Sequence, residues 1–105
     1  MLVKAFLMSI PANAETEYER RHMEIWPDMK ELFRRHGVKE YYIFLLSGTG
    51  QLFAFALVEN ETQWTEIRHS PECIRWWNYM KDLMPLDNSG APATKELKQV
   101  FHFIS

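Results

Sequence analysis

Tyr18 and His22 stand four residues apart in AETEYERRHMEI, a stretch rich in helix formers. On a helix that spacing puts both side chains on one face, so the two can meet a single ligand. An imidazole titrates near pH ~6.5 and can therefore give or take a proton close to neutrality without much tuning. His22 is thus the candidate acid or base, although a helix histidine satisfied by a neighbouring backbone group or carboxylate would fit the spacing equally well. Ile25 and Trp26 extend the same face. Arg20 and Arg21 precede His22. Adjacent helix residues point about 100° apart, so at most one arginine can face the site, and solvated surface is the expectation for both.

A second set of residues could bind what His22 acts on. Trp76 and Trp77 diverge on any helix, so one can pack into a core with Cys73, Met80 and Met84 while the other reaches a cleft. Tyr41 and Tyr42 alternate across a strand, one toward the helices and one away. Flat aromatic faces suit the C–H face of a pyranose, and phenol hydroxyls suit its polar edge, so a sugar would account for the Tyr and Trp together. His36, His69 and His102 make no recognisable metal spacing with His22, and structural or surface roles are expected for them. There is no Gly-rich phosphate loop, nucleophile elbow or paired-Cys motif, so cofactor-free chemistry without a metal is the simplest expectation.

Bulk properties narrow the classes further. At 105 residues the chain has the size of one domain, 1–105, and 47% hydrophobic with 25% charged residues argues against disorder. Twelve Lys and Arg against fourteen Asp and Glu leave no basic field, so neither nucleic acid nor a membrane surface is an expected partner. Cys73 is the only cysteine, which excludes an intramolecular disulfide and suits a reducing compartment; cytoplasm is the expectation. The opening MLVKAFLMSI is apolar for too few residues to span a bilayer and lacks a basic n-region and a cleavage site. It reads as a strand.

The elements that must position these residues follow from pattern. Leu2 to Ile10 is the first strand. Asn13 is expected to cap a helix running from Ala14 to about Ile25, Pro27 to break it, Asp28 to His36 to continue, and Gly37 to stop it. YYIFLL and QLFAFALVE, separated by Ser47 to Gly50, read as an antiparallel hairpin. Asn60 with Gln63, and Ser70 with Pro71, open two helices, the second carrying CIRWWNYM and ending near Pro85. LDNSGAPATK, residues 86–95, is a polar loop that could act as a lid, and LKQVFHFI is expected as the last strand. The order βαββαβ predicts an α+β, ferredoxin-like fold with a four-stranded antiparallel sheet and helices on one face. Since Phe53, Phe55 and Leu57 alternate with Leu52, Ala54, Ala56 and Val58, the second sheet face is also apolar. A homodimer with the open faces together would cover it.

YERRHMEIWP (Tyr18 to Pro27), HG at His36 and Gly37 followed by Tyr41, CIRWWNYM (Cys73 to Met80), MP at Met84 and Pro85, and ELKQVF together resemble the L-rhamnose mutarotase family over nearly the whole chain. The resemblance implies a dimeric α+β barrel and cofactor-independent interconversion of the α and β anomers of L-rhamnose or a closely related 6-deoxy sugar. It implies His22 as proton donor, and Tyr18, Tyr41, Trp76 and Trp77 as substrate-binding. The late loop and His102, where an aromatic is usual, depart from the family pattern.

Mutarotation opens the pyranose: a base takes the anomeric hydroxyl proton, an acid protonates the ring oxygen, and the aldehyde rotates and recloses. His22 is expected to serve the acid step. Glu17, Asp87, a tyrosine or water are left as candidate bases. Two other readings remain open on residues alone: a cofactorless monooxygenase or haem-handling protein of the same architecture, and a non-catalytic sugar-binding module.

Overall fold

Period-two alternation sets the sheet. In the computed structural model, which describes residues 1–105, β1 (Leu2–Ser9), β2 (Val38–Leu46), β3 (Gln51–Val58) and a two-residue β4 (Lys95–Glu96) form one antiparallel sheet in the order β2-β3-β1-β4. Helices α1 (Glu15–Met23) and α2 (Pro27–Arg35) fill the first crossover, and α3 (Glu61–Ile67) and α4 (Pro71–Met80) the second. This is the ferredoxin-like arrangement. Along β3, Leu52, Ala54, Ala56 and Val58 point at the helices and are almost wholly buried. Leu52 and Ala54 share one core cluster with Met29 and Leu32 of α2 and Cys73, Trp76 and Met80 of α4. Each large apolar side chain buried in this way contributes roughly 1.5–3 kcal/mol.

Glycines in the left-handed region shape both ends of the β2–β3 hairpin. Gly37 has φ +72°, the left-handed turn that ends α2 and starts β2. Gly50 has φ +70°, and a Cβ there would run into the Ile10 carbonyl oxygen. That close approach lets the Ile10 amide donate to the Gly50 carbonyl at 2.9 Å. The Glu15 carboxylate meanwhile accepts from the Gly48 and Gly50 amides at 3.0 and 2.8 Å. The β2–β3 turn is thereby fastened to the first turn of α1.

Several expected boundaries move. Asn13 does not cap α1: it lies inside a 3₁₀ turn, Ala12–Ala14, and α1 begins at Glu15 without a side-chain cap. Glu15, facing the turn amides, does the tethering instead. The helix ends at Met23, short of Ile25, and Pro27 occupies the first position of α2. Asn60 does accept from the Gln63 amide at 2.9 Å. Helix α4 stops at Met80, well before Pro85.

The largest difference is at the last strand. Only Lys95 and Glu96 pair with β1, opposite Leu7 and Phe6, so the strand starts on the last residue of the segment assigned to a loop and ends before the run assigned to a strand. The Leu97 amide still donates to the Ala5 carbonyl at 3.0 Å, and from Lys98 onward the chain has no partner. Val100, Phe101, Phe103 and Ile104 are 73–86% exposed. Alternation marked this run as a strand, but a segment apolar on both faces needs a surface on each side, and one copy of the chain offers none. No helix is long and apolar enough to cross a membrane.

Candidate active site

The expected Tyr18–His22 pair is built. Four residues apart on α1, their rings stack with centroids 4.2 Å apart and planes 26° from parallel. Trp76, one helix away on α4, stands edge-on to the imidazole at 5.3 Å and 87°. The His22 Nδ1 lies 3.0 Å from the Tyr18 carbonyl oxygen. A carbonyl can only accept, so Nδ1 carries the proton and Nε2 is the free nitrogen. Tyr18 and Trp76 are buried, while His22 is only partly so.

Tyr41 reaches the same cavity from β2. Its ring is walled by Phe33 at 5.3 Å, Trp64 at 5.9 Å and Phe6 at 6.5 Å. Neither the Tyr18 nor the Tyr41 hydroxyl bonds to the protein, and neither is sealed from the cavity, so both are available to a ligand. Tyr42 points to the opposite face, where it stacks on Phe44.

The two tryptophans divide as their divergence requires. Trp76 joins the core with Cys73, Met80 and Met84, and also packs edge-on to Trp26 at 5.1 Å and against Tyr79 at 5.6 Å. Trp77 is half-buried at the rim, between the main cavity and a smaller hollow beside Arg68 and Ser89. The main cavity is open and measures about 1650 Å³. That is more than a monosaccharide needs, because it runs past the sheet edge to Gln99, Val100, Phe101 and His102 of the unpartnered C-terminal segment.

Burial favours the uncharged forms of His22, Tyr18, Tyr41 and Cys73. Burial lowers the His22 pKa below the ordinary value, only partly offset by the Tyr18 carbonyl. Burial raises Tyr18, and raises Tyr41 with smaller additions from the nearby Tyr18 and Cys73. The Cys73 thiol is pushed up to about 12, again by burial.

The carboxylates considered as bases are otherwise engaged. Glu17 accepts from Arg20 at 2.6 Å and from Arg21 at 2.8 Å, which holds its carboxyl down at about 2. Asp87 accepts from the Ser89 amide and hydroxyl and from the Ala91 amide, and is lowered too. Of the two arginines only Arg20 is the surface residue expected. Arg21 is a clamp with its side chain 10% exposed. It holds Asp82 through two nitrogens at 2.9 and 3.0 Å, donates to the Tyr79 carbonyl at 2.9 Å, and lies 4.5 Å over the Tyr79 ring. It therefore pins α1, beside His22, to the end of α4. Spacing could not reveal this, because Asp82 is remote in sequence. Trp64, Phe6 and Phe33 were likewise visible only as aromatic content. No three His, Cys, Asp or Glu side chains are grouped so as to hold a metal.

A profile of L-rhamnose mutarotase matches residues 4–103. The chain is 45% identical over 102 residues to an L-rhamnose mutarotase of Opitutus terrae, covering 97% of this chain and 98% of that one. It is 41% identical to one of Enterococcus faecalis, covering 96% and 98%. The crystal structure of an L-rhamnose mutarotase from Formosa agariphila superposes with a TM-score of 0.88 at 30% identity, covering 99% of this chain and all of that one. A dimeric ferredoxin-like protein from an uncultured marine organism shares the fold, with a TM-score of 0.69 at 13% identity over 98% of both chains.

Proposed function

Because this chain belongs to the L-rhamnose mutarotase family, we propose that it interconverts the α and β anomers of L-rhamnose at the cavity where Tyr18, His22, Tyr41 and Trp76 meet. The observation that carries this reading is an imidazole with one free nitrogen, held between aromatic rings, in a cavity lined by two uncommitted phenols. His22 moves the proton. The Tyr18 and Tyr41 hydroxyls bond the sugar's polar edge, and the Trp76 edge and the Trp77 face line its apolar side. Holding the opened aldehyde in place for reclosure adds a proximity contribution to the acid–base one. Saturation-transfer NMR between the two anomeric proton signals of L-rhamnose tests the reading. Exchange no faster than in buffer would refute it.

The working form is a homodimer formed through the open sheet face. Val3, Tyr42, Phe44 and Leu46 expose an apolar patch there, 47–56% accessible, and the apolar C-terminal segment adds to the surface left uncovered. The Phe44→Glu variant should sediment as a monomer; an unchanged sedimentation coefficient would place the interface elsewhere. Asp87, Ala91 and Pro92, from residues 86–95, line the cavity, which supports the reading of that loop as a lid over the ligand. The lone buried thiol of Cys73 suits the cytoplasm.

A further inference from the structure

Mutarotation needs a proton removed from the anomeric hydroxyl and a proton delivered to the ring oxygen, and the two duties are usually given to two groups. His22 is the one imidazole held among the buried rings of this cavity; the other histidine that lines it, His102, lies on the exposed C-terminal segment. Glu17 is bound by two arginines, Asp87 by Ser89 and Ala91, Glu15 by the Gly48 and Gly50 amides, and Glu61 by Lys4. The phenols of Tyr18 and Tyr41 and the thiol of Cys73 hold their protons far above neutrality. The titratable groups that line the cavity with His22 are Glu15, Tyr18 and Glu19 on α1, Lys30 on α2, Tyr41 on β2, Lys4 on β1, Glu61 on α3 with Arg68 after it, Cys73 on α4, Asp87 on the late loop, Glu96 on β4, and Lys98 and His102 beyond it. None of them bonds to the imidazole; its one protein hydrogen bond goes to the Tyr18 carbonyl.

We propose, building on the anomer-exchange reading above, that His22 is both base and acid. Nε2 of the neutral ring takes the proton of the anomeric hydroxyl and hands that same proton to the ring oxygen as the ring opens. In the first step O1–H breaks and Nε2–H forms. In the second the C1–O5 bond breaks, its electron pair goes to O5, the O1 electrons complete the C1=O1 bond, and Nε2 returns its proton to O5. The products are the aldehyde and a hydroxyl, with the imidazole restored and no co-reactant consumed. Both oxygens are bonded to C1, so a nitrogen that reaches one needs only a small displacement to reach the other. After rotation about C1–C2 the same steps in reverse close the ring on the other face. The Nδ1–H to Tyr18 bond persists in both charge states, which keeps the ring oriented while Nε2 cycles. The stacked Tyr18 ring and the Trp76 edge limit its tilt. The part played by the structure is to present the base form at rest, because burial disfavours the imidazolium.

The test is anomer exchange of L-rhamnose by saturation transfer from pH 4.5 to 9, for the wild-type protein and for His22→Gln, Glu19→Gln and Tyr41→Phe, alongside 15N NMR of His22. The expected result is a rate that falls tenfold per pH unit below a single pKa lying under the ordinary histidine value and is flat above it. The His22 nitrogens should titrate with that same pKa, with Nε2 unprotonated on the plateau. His22→Gln should lose ~10²–10⁴-fold in kcat. Tyr41→Phe should raise KM and keep the acid limb, and Glu19→Gln should keep both limb and plateau. A rate that instead falls as the imidazole loses its proton would overturn the shuttle, as would Glu19→Gln or Tyr41→Phe matching the loss in His22→Gln. Those outcomes leave an active mutarotase. Failure of wild-type exchange at every pH would sink the reading beneath it.

Discussion

Replacing Trp76 by alanine should cost the protein a large part of its stability. The ring is 5% exposed and meets His22, Trp26 and Tyr79 at 5.1–5.6 Å. Removing a buried tryptophan costs about 3–5 kcal/mol in lost transfer energy and residual cavity. Each well-formed aromatic pair adds ~0.5–1.5 kcal/mol beyond its buried area, so the upper end of that range is expected. A domain of this size holds roughly 5–15 kcal/mol in all. With a urea m-value of about 1.5 kcal/mol/M, the unfolding midpoint should drop by ~3 M. Trp77→Ala is the contrast. Its ring is half-buried at the rim, and its midpoint should move by less than ~1 M. If a sugar face covers about 60 Å² of that ring, losing the contact is worth ~1.5 kcal/mol, or roughly tenfold in affinity. Urea unfolding followed by circular dichroism, with sugar titration by calorimetry, measures both. A Trp76→Ala protein with a midpoint within ~0.5 M of wild type would refute the argument that its ring contacts hold α1 to α4.

Gly50→Ala should destabilise by more than ~2 kcal/mol, since the left-handed conformation alone costs about 1–2 kcal/mol with a side chain and the new Cβ meets the Ile10 carbonyl. An unchanged urea midpoint would show that the β2–β3 turn shifts freely. Acid should weaken the α1–α4 clamp. Glu17 is lowered from 4.5 to about 2 by its bonds to Arg20 and Arg21, so the stability it adds is complete above pH 4.5 and is lost as pH falls through the folded value. The melting temperature should decline across that window, and less steeply in Arg21→Met; equal slopes in calorimetry would contradict the assignment. Tyr41→Phe should fold normally, because its hydroxyl has no protein partner, and should raise KM for L-rhamnose. A loss of melting temperature in that variant would mean that the hydroxyl is structural.

Local chemistry was legible in the sequence because it depends on neighbours a few residues apart. The four-residue step from Tyr18 to His22 became a stacked pair, and the divergence of Trp76 and Trp77 became one core ring and one rim ring. The proline and glycine punctuation at Pro27, Gly37 and Pro71 placed two of the four helices, α2 and α4, and the alternation along β3 gave its buried face. The sequence motifs also carried the family.

Tertiary structure decided what depends on distant partners. Asn13 lost the cap because Glu15 found the turn amides some thirty residues away. Arg21, read as surface, turned inward because Asp82 and Tyr79 come to meet it from the end of α4. Lys98 to Ile104 has a strand's pattern and no strand's partner, since pairing needs a neighbouring edge that alternation alone does not supply. The protonation of His22 belongs here too. Sequence supplies an imidazole near neutrality; only the Tyr18 carbonyl at Nδ1 and the burial of the ring settle which nitrogen is free and which charge state rests in the cavity.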